Sequence, residues 1–260
     1  MPPNNESLSP KHLSLDAPPN TRWSSRRSVS VVVPTYKEVE NLSLLTERLE
    51  KVKQKHHLSL ELLIMDDDSQ DGTVELVSSM DKDWITLVVR KKKRGLSRAV
   101  LEGLKLARSD VLVVMDADLS HPPEKIPEML VAIEKGTDFV MGSRYTTGGL
   151  TEAPWGSLRW LNSRVATLLA RPFTSVKDPM SGFFALPRKT FESACDLNPI
   201  GYKIGLELMV KCDLHRIEEI PIHFKDRQFG ESKLTLTEQK KYLQHLCRLF
   251  IYKYWRPFWE

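Results

Sequence analysis

The chain has 260 residues, 41% hydrophobic and 28% charged, which is enough apolar material for one large α/β core with a small appended region. A net charge of +4 is too diffuse, and unaccompanied by any basic and aromatic module, to support a nucleic-acid partner. Three cysteines (Cys195, Cys212, Cys247) without Cys-x-x-Cys spacing or a companion histidine cluster argue against a zinc site or a disulfide framework.

Met1–Arg27 is rich in Pro, Asn and Ser and has no apolar segment of the signal-peptide kind, so a disordered arm is expected over 1–27. No apolar run approaches the roughly 18–20 residues of a spanning helix, which places any catalysis on the cytoplasmic side. From Ser28 short apolar runs alternate with helical patterns, the signature of βαβ units around a parallel sheet. Val29–Val33 reads as a first strand closed by Pro34, followed by a helix with Val39, Leu42, Leu45, Leu49 and Val52 on one face. Leu60–Met65 is a second strand, and Asp71-Gly72-Thr73 turns the chain into a short helix through Met80. Ile85–Val89 is a third strand, and Leu96, Ala99, Val100, Leu104 and Ala107 stripe the next helix. Val111–Met115 follows as a fourth strand, Ile126, Leu130 and Ile133 mark a helix behind Pro122-Pro123, and Phe139–Met141 is a fifth strand. The remainder is less regular, with helical stretches near Leu158–Ala170 and Leu206–Asp213.

Polar residues gather where a parallel sheet builds its ligand crevice, just after successive strands. Pro34-Thr35-Tyr36-Lys37-Glu38 follows the first, Asp66-Asp67-Asp68-Ser69 the second, Asp116-Ala117-Asp118-Leu119-Ser120-His121 the fourth, and Gly142-Ser143-Arg144-Tyr145 the fifth. Asp116 and Asp118, two residues apart, project to one side of an extended chain, and paired hard oxygen ligands suit Mg²⁺ or Mn²⁺ carrying a diphosphate. No Gly-x-Gly-x-x-Gly follows the first strand and no Gly-x-x-x-x-Gly-Lys-Ser/Thr occurs, so a nucleotide here is held by acids and a metal, the nucleotide-sugar pattern. His121, at a Pro-Pro helix entry, reads as a support for the acidic pair. The basic run Arg90–Arg94 reads as a solvated loop, with attraction to anionic lipid or donor phosphates as the other reading.

The strings Val-Pro-Thr-Tyr-Lys-Glu, Met-Asp-Asp-Asp-Ser-Gln-Asp-Gly-Thr and Met-Asp-Ala-Asp-Leu-Ser-His-Pro-Pro-Glu resemble those of the inverting GT-A glycosyltransferases of family 2. Gly-Ser-Arg-Tyr (142–145), Asp-Pro-Met-Ser-Gly-Phe-Phe-Ala (178–185) and Asp-Arg-x-x-Gly-Glu-Ser-Lys-Leu (226–234) narrow the resemblance to the polyprenyl-phosphate (dolichol-phosphate) mannose synthases, over about residues 28–250. The resemblance implies a Rossmann-like GT-A domain over 28–235, with a mostly parallel central sheet and helices on both faces. It implies that Pro34, Tyr36, Glu38, Met65 and Asp67 frame the nucleoside. Asp116, Ala117 and Asp118 then flank the diphosphate and sugar, and Arg227 and Lys233 contact the donor from a mobile loop. Arg144, Arg159 and Ser163 match positions that hold the acceptor phosphate, so Asp118, Arg144 and Arg159 are the expected catalytic set. Asp116, Asp118 and Ser120 match the metal position, where some relatives carry Gln in place of Ser120. Lys37 stands where relatives often have Asn.

The implied reaction is inverting transfer of mannose from GDP-mannose to a polyprenyl (dolichyl-type) phosphate, aided by Mg²⁺ or Mn²⁺. Alternatives are a polyprenyl-phosphate transferase using a UDP-sugar (glucose or N-acetylglucosamine) and a nucleotidyltransferase. The latter usually has a glycine- and basic-rich loop after its first strand, which Pro34–Glu38 lacks. A lipid acceptor must be met at a membrane surface. In 236–260, Leu243, Leu246 and Phe250 lie beside Lys240, Lys241, Arg248 and Lys253, and seven aromatic residues fall between Tyr242 and Trp259. That is an amphipathic, aromatic and basic interface segment. Trp160–Phe173, with Val165, Leu168 and Leu169 among Arg159, Arg164 and Arg171, is a second such stretch. Peripheral association with the cytoplasmic face of a membrane follows, with a small membrane-anchoring partner as a further expectation.

Overall fold

A computed structural model describes residues 28–151, 157–224 and 236–255, and side chains within 28–151, 163–224 and 237–255. The arm expected over 1–27, Arg227, Lys233 and the side chain of Arg159 lie outside the described residues.

The chain alternates β1 (Ser28–Thr35), α1 (Val39–Lys55), β2 (Ser59–Asp66), α2 (Thr73–Ser79), β3 (Ile85–Val89), α3 (Leu96–Leu106), β4 (Val111–Val114), α4 (Ile126–Glu134) and β5 (Phe139–Ser143). Beyond these come β6 (Leu150–Thr151), α5 (Ser157–Ala170), β7 (Phe184–Pro187), α6 (Arg188–Glu192), α7 (Ile204–Lys211), β8 (Ile217–Pro221), β9 (His223–Phe224) and α8 (Leu236–Tyr254). Seven strands form the central sheet in the order β3-β2-β1-β4-β7-β5-β8, and β6 pairs with β9 in a separate two-stranded sheet.

Alternation along the strands divides the core in two. Val31 and Val33 of β1 and Leu62 and Ile64 of β2 pack with Leu42, Leu45 and Leu49 of α1 and Met129 and Leu130 of α4. Val32 and Met65 point the other way, into a second cluster with Val100 and Leu104 of α3, Leu206 of α7 and Leu249 of α8. Helices therefore cover both faces, as the βαβ pattern requires. Gly103 lets α3 sit this close: a Cβ there would stand 2.4 Å from Val32 Cγ1 and 2.9 Å from Met65 Cγ. Gly103→Ala gains up to about 1 kcal/mol of helix propensity but overpacks a filled core at about 1–3 kcal/mol. The denaturant midpoint of this variant is expected to fall.

Two sequence expectations are revised. β1 does not close at Pro34 but runs to Thr35. The Val32 carbonyl faces β4, accepting the Met115 N–H at 3.2 Å, and the Thr35 carbonyl faces β2, accepting the Asp67 N–H at 2.9 Å. The N–H that Pro34 lacks would point to the β4 side, where that strand has already ended at Val114, so nothing is lost. Second, the less regular part of the sequence supplies two strands of the main sheet. β7 inserts between β4 and β5, antiparallel to both, with Val114 opposite Phe184 and Met141 opposite Phe184. Because β7 runs backwards, its beginning lies at the rim where β4 and β5 end.

Candidate active site

That rim collects the functional side chains. Asp66 and Asp67 leave β2, Asp116 and Asp118 follow β4, Arg144 follows β5, and Asp178–Gly182 leads into β7. The Gly142 N–H donates to the Phe183 carbonyl at 2.8 Å, tying the β5 exit to the β7 entry.

On the β2 side Asp67 is buried and accepts the Gly95 N–H at 2.6 Å. Arg90 is buried too, against the expectation of a solvated basic loop. Its guanidinium pairs with Asp67, and its Nε donates to Glu102 at 2.8 Å and Nη2 to the Lys93 carbonyl at 3.0 Å. Arg94 pairs with Asp68 in the same way. Of the basic run Arg90 alone is turned inward, onto Asp67, because a buried carboxylate without a cation is costly. Lys91, Lys92, Lys93 and Arg94 stay exposed, as expected of a solvated loop. Arg90→Lys keeps the charge but not the fork, and is expected to lower unfolding free energy by about 1–2 kcal/mol, read from a urea titration. Asp66 holds the following turn, accepting the Ser69 N–H at 3.0 Å and pairing with the Ser69 hydroxyl.

Tyr36 is exposed at the rim, and Glu38 accepts from Asn41 Nδ2 at 2.6 Å. Lys37 adopts φ 59°, a left-handed conformation that Asn takes more easily than Lys, and this explains why Asn suits the position. Its N–H donates to Ser69 Oγ at 2.9 Å, linking the β1 and β2 loops. Met65 is fully buried in the core cluster that packs against α3, so its side chain does not face the crevice. Ala117 is likewise buried, in the core cluster on the α1 and α4 side of the sheet.

The two carboxylates after β4 stand in different environments. Asp118 is buried, and its Oδ1 accepts both the Ser120 N–H at 3.1 Å and the Ser120 hydroxyl at 2.6 Å. Asp116 is half-exposed at the rim, with its carboxylate against Gly182: a Cβ on Gly182 would come within 3.2 Å of both carboxylate oxygens. Its backbone N–H donates to His121 Nδ1 at 3.0 Å, which fixes the tautomer with the proton on Nε2. The His121 ring stacks on Phe183 with centroids 5.4 Å apart, so it props the loop, as the sequence suggested. Among the described residues no three His, Cys, Asp or Glu side chains converge on one point. Two carboxylates and a serine hydroxyl fit a hard divalent cation that keeps waters and takes its other ligands from a substrate diphosphate.

Arg144 lies nearby in a geometry the sequence did not specify. Nε donates to Asp178 Oδ2 and Nη2 to Asp178 Oδ1, both at 2.7 Å, and the Arg144 N–H reaches Oδ2 at 2.9 Å. Burial is the largest influence and works against the charge, but the Asp178 hydrogen bonds together with the negative charges of Asp178, Tyr145 and Asp116 outweigh it and hold the guanidinium pKa above its ordinary value. Asp178 is fully buried, and its own N–H donates to Glu219 of β8 at 3.1 Å. Tyr145 and Phe224 rings flank the guanidinium at 5.4 and 5.1 Å. The Tyr145 hydroxyl is 3.0 Å from Ser163 Oγ of α5, bringing that expected acceptor residue to the same end of the site. Asp178 and Arg90 are the residues that sequence reasoning missed as partners. The string around 178–185 signals the first, and charge matching between 66–68 and 90–94 could have found the second.

Residues 30–194 match the family model described as glycosyl transferase family 2. The chain is 41% identical over 248 residues to a dolichol-phosphate mannosyltransferase of Mycosarcoma maydis, covering 91% of this chain and 84% of that protein. It is 43% identical over 226 residues to a dolichol-phosphate mannosyltransferase of Pyrococcus furiosus, covering 85% of this chain and 63% of that protein. In architecture it is similar to glucosyl-3-phosphoglycerate synthase from Mycobacterium tuberculosis, crystallised with Mn²⁺, UDP-glucose and phosphoglyceric acid. That match has a TM-score of 0.64 at 18% identity and covers 88% of this chain and 80% of that one. The mixed seven-stranded sheet with acids along its carboxyl rim defines a glycosyltransferase of the GT-A fold. The chain belongs to glycosyltransferase family 2.

Proposed function

We propose that this chain transfers mannose from GDP-mannose to a dolichyl-type polyprenyl phosphate, inverting the anomeric configuration, with Mg²⁺ or Mn²⁺ bound at Asp116 and Asp118. The observation that carries the reading is the rim itself. Two acids fit for a metal diphosphate stand beside a buried arginine locked by a carboxylate, in a chain over 40% identical to two dolichol-phosphate mannosyltransferases.

In this reaction an acceptor phosphate oxygen forms the new bond to the anomeric carbon as the bond to the diphosphate oxygen breaks, and the electron pair leaves with GDP. The acceptor is already ionised at neutral pH, so no general base is needed. The chain's task is to bring two anions together without repulsion. Arg144, aligned by Asp178, presents a fixed guanidinium edge to the acceptor phosphate, and Ser163 and Arg159 complete that side. Pro34, Tyr36, Glu38, Asp67 and the Met65 backbone frame the nucleoside, with Arg227 and Lys233 closing on the donor. A divalent cation held by Asp116 and Asp118, with Ser120 as a third ligand or as the Asp118 support, supplies neutralisation of the departing diphosphate.

The lipid is reached from a membrane surface. Among the described residues no helix is long and apolar enough to cross a membrane. Val165, Leu168 and Leu169 of α5, Leu243, Phe250, Ile251 and Tyr254 of α8, and Trp255 just after it are exposed. The two helices are tied by the Tyr242 hydroxyl to the Ala166 carbonyl at 2.8 Å, and the Tyr254 hydroxyl reaches the Pro172 carbonyl, just past the end of α5, at 2.8 Å. Joined apolar faces with Arg164, Arg248 and Lys253 among them suit an anionic cytoplasmic leaflet, with a small membrane partner as an additional anchor.

The test is incubation with labelled GDP-mannose, UDP-glucose and UDP-N-acetylglucosamine, each with polyprenyl phosphate, in Mn²⁺ or in chelator. Label entering the organic phase from GDP-mannose alone, and only with the ion, is the expected result. Transfer from a UDP-sugar, or full activity in chelator, overturns the donor or the metal assignment respectively.

A further inference from the structure

Between the acidic pair and Arg144 lies a cation that no motif of the sequence drew attention to. Lys203 immediately precedes α7 and is half-buried, with its charged end directed inward. Its Nζ donates to the Met180 carbonyl at 2.8 Å, on the segment that carries Asp178 and Gly182. Along the rim the order is therefore Asp67, Asp116, Lys203 on the β7 entry, then Arg144. The ammonium is close enough to Arg144, Asp178 and Asp116 to feel all three charges.

The hydrogen bonding around it is lopsided. Asp178 is taken twice by the Arg144 guanidinium and once by its backbone N–H. Among the described residues Lys203 makes no ion pair, and the Met180 carbonyl is its one hydrogen-bond acceptor. Its other close contact is the Tyr202 ring, 4.3 Å from Nζ to centroid. An ammonium has three donors, and one held inward with a single neutral acceptor is costly unless an anion arrives. Burial, with the neighbouring Arg144 charge, pushes its pKa down to about 7, against the pull of Asp178 and Asp116. Arg144 already engages Asp178 through two hydrogen bonds, so Lys203 is left with no carboxylate bonded to it directly among the described residues.

We propose that Lys203 is a further phosphate-binding cation, additional to Arg144 and Arg159, donating to the phosphate of the polyprenyl acceptor where it meets the sugar. The inference rests on the transferase reading above and adds a residue to its acceptor side. The Met180 carbonyl that Lys203 holds lies in the chain between Asp178, which grips Arg144, and Gly182, against which the Asp116 carboxylate packs. An ammonium there neutralises the attacking phosphate as it closes on the diphosphate, while Arg144 sets its orientation.

The test compares Lys203→Gln and Lys203→Arg with the wild type in steady-state transfer, varying acceptor and donor separately. It adds calorimetric titration of the substrate-free proteins with a water-soluble short-chain prenyl monophosphate and with the matching prenyl alcohol. Loss of a charged hydrogen bond is expected to raise the acceptor KM of Lys203→Gln about 10–100-fold and to weaken the monophosphate similarly, leaving the alcohol and the donor KM within about twofold. Lys203→Arg is expected to recover part of the acceptor KM. The melting temperature of substrate-free Lys203→Gln is expected to match or exceed that of the wild type, because no ion pair is broken. An unchanged acceptor KM overturns the inference, as does a rise confined to the donor KM. A fall in melting temperature with no selective change in either KM also overturns it, in favour of a strap holding the Met180 carbonyl. A wild type that transfers no sugar to polyprenyl phosphate overturns the underlying reading, a result distinct from a wild type that transfers beside an unaltered Lys203→Gln.

Discussion

Asp118→Ala is expected to lower metal-dependent turnover about 10²–10³-fold, the loss typical of removing one preorganised group that stabilises a leaving charge. The folded state should tolerate the change better than the reaction does. The bonds lost include the two from Ser120 to Asp118 Oδ1, both local to one turn whose Leu119 sits at φ 63°. Ser120→Ala is the informative companion. It removes the 2.6 Å hydroxyl bond but keeps the carboxylate, so it is expected to weaken apparent metal affinity about 10–100-fold and turnover less. Both numbers come from initial rates across a Mn²⁺ series, with circular dichroism as the check on folding. An Asp118→Ala variant that keeps most of its metal-dependent turnover removes Asp118 from the metal site.

Asp178→Ala is expected to damage stability and activity together. It strands the Arg144 guanidinium, which has only 9% of its side-chain surface exposed, and discards two charge-assisted bonds of 2.7 Å. Breaking one partner of a buried pair costs about 3–5 kcal/mol, which is a large share of the 5–15 kcal/mol that holds an ordinary domain folded. Asp178→Asn keeps the shape and one acceptor oxygen, so it should fold measurably better than the alanine variant while still presenting Arg144 poorly. Urea unfolding separates the two variants. If Asp178→Ala unfolds like the wild type, the pair is not holding the β5 and β7 segments together.

The halves of the chain differed in how readily they could be read. From Ser28 to Gly142 the alternation of apolar runs with three- and four-residue stripes carries the βαβ order, since each strand is buried on both faces and each helix on one. The acids after β2 and β4 were legible for the same reason: a polar cluster at the end of a buried strand has only the crevice to occupy. β7 was not legible. Phe184-Ala185-Leu186-Pro187 is four residues of an apolar run with no periodicity, and nothing local states that it pairs backwards between β4 and β5. Arg90 was misjudged because five consecutive basic residues look solvated until the fold turns one of them onto Asp67. Lys203 lay outside every motif.

By itself, the sequence determined the layered α/β core, the acidic rim, the absence of a glycine-rich phosphate loop and the family to which the chain belongs. Those follow from patterns within a dozen residues, where hydrophobic period and turn chemistry act directly on the backbone. Only the tertiary structure decided which charges face one another. Asp178 and Arg144 are 34 positions apart, Asp67 and Arg90 are 23, and their pairing is set by the antiparallel strand and by the loops that bury them. Coulomb attraction between distant residues has no sequence period, so it becomes visible once chain topology has closed the distance.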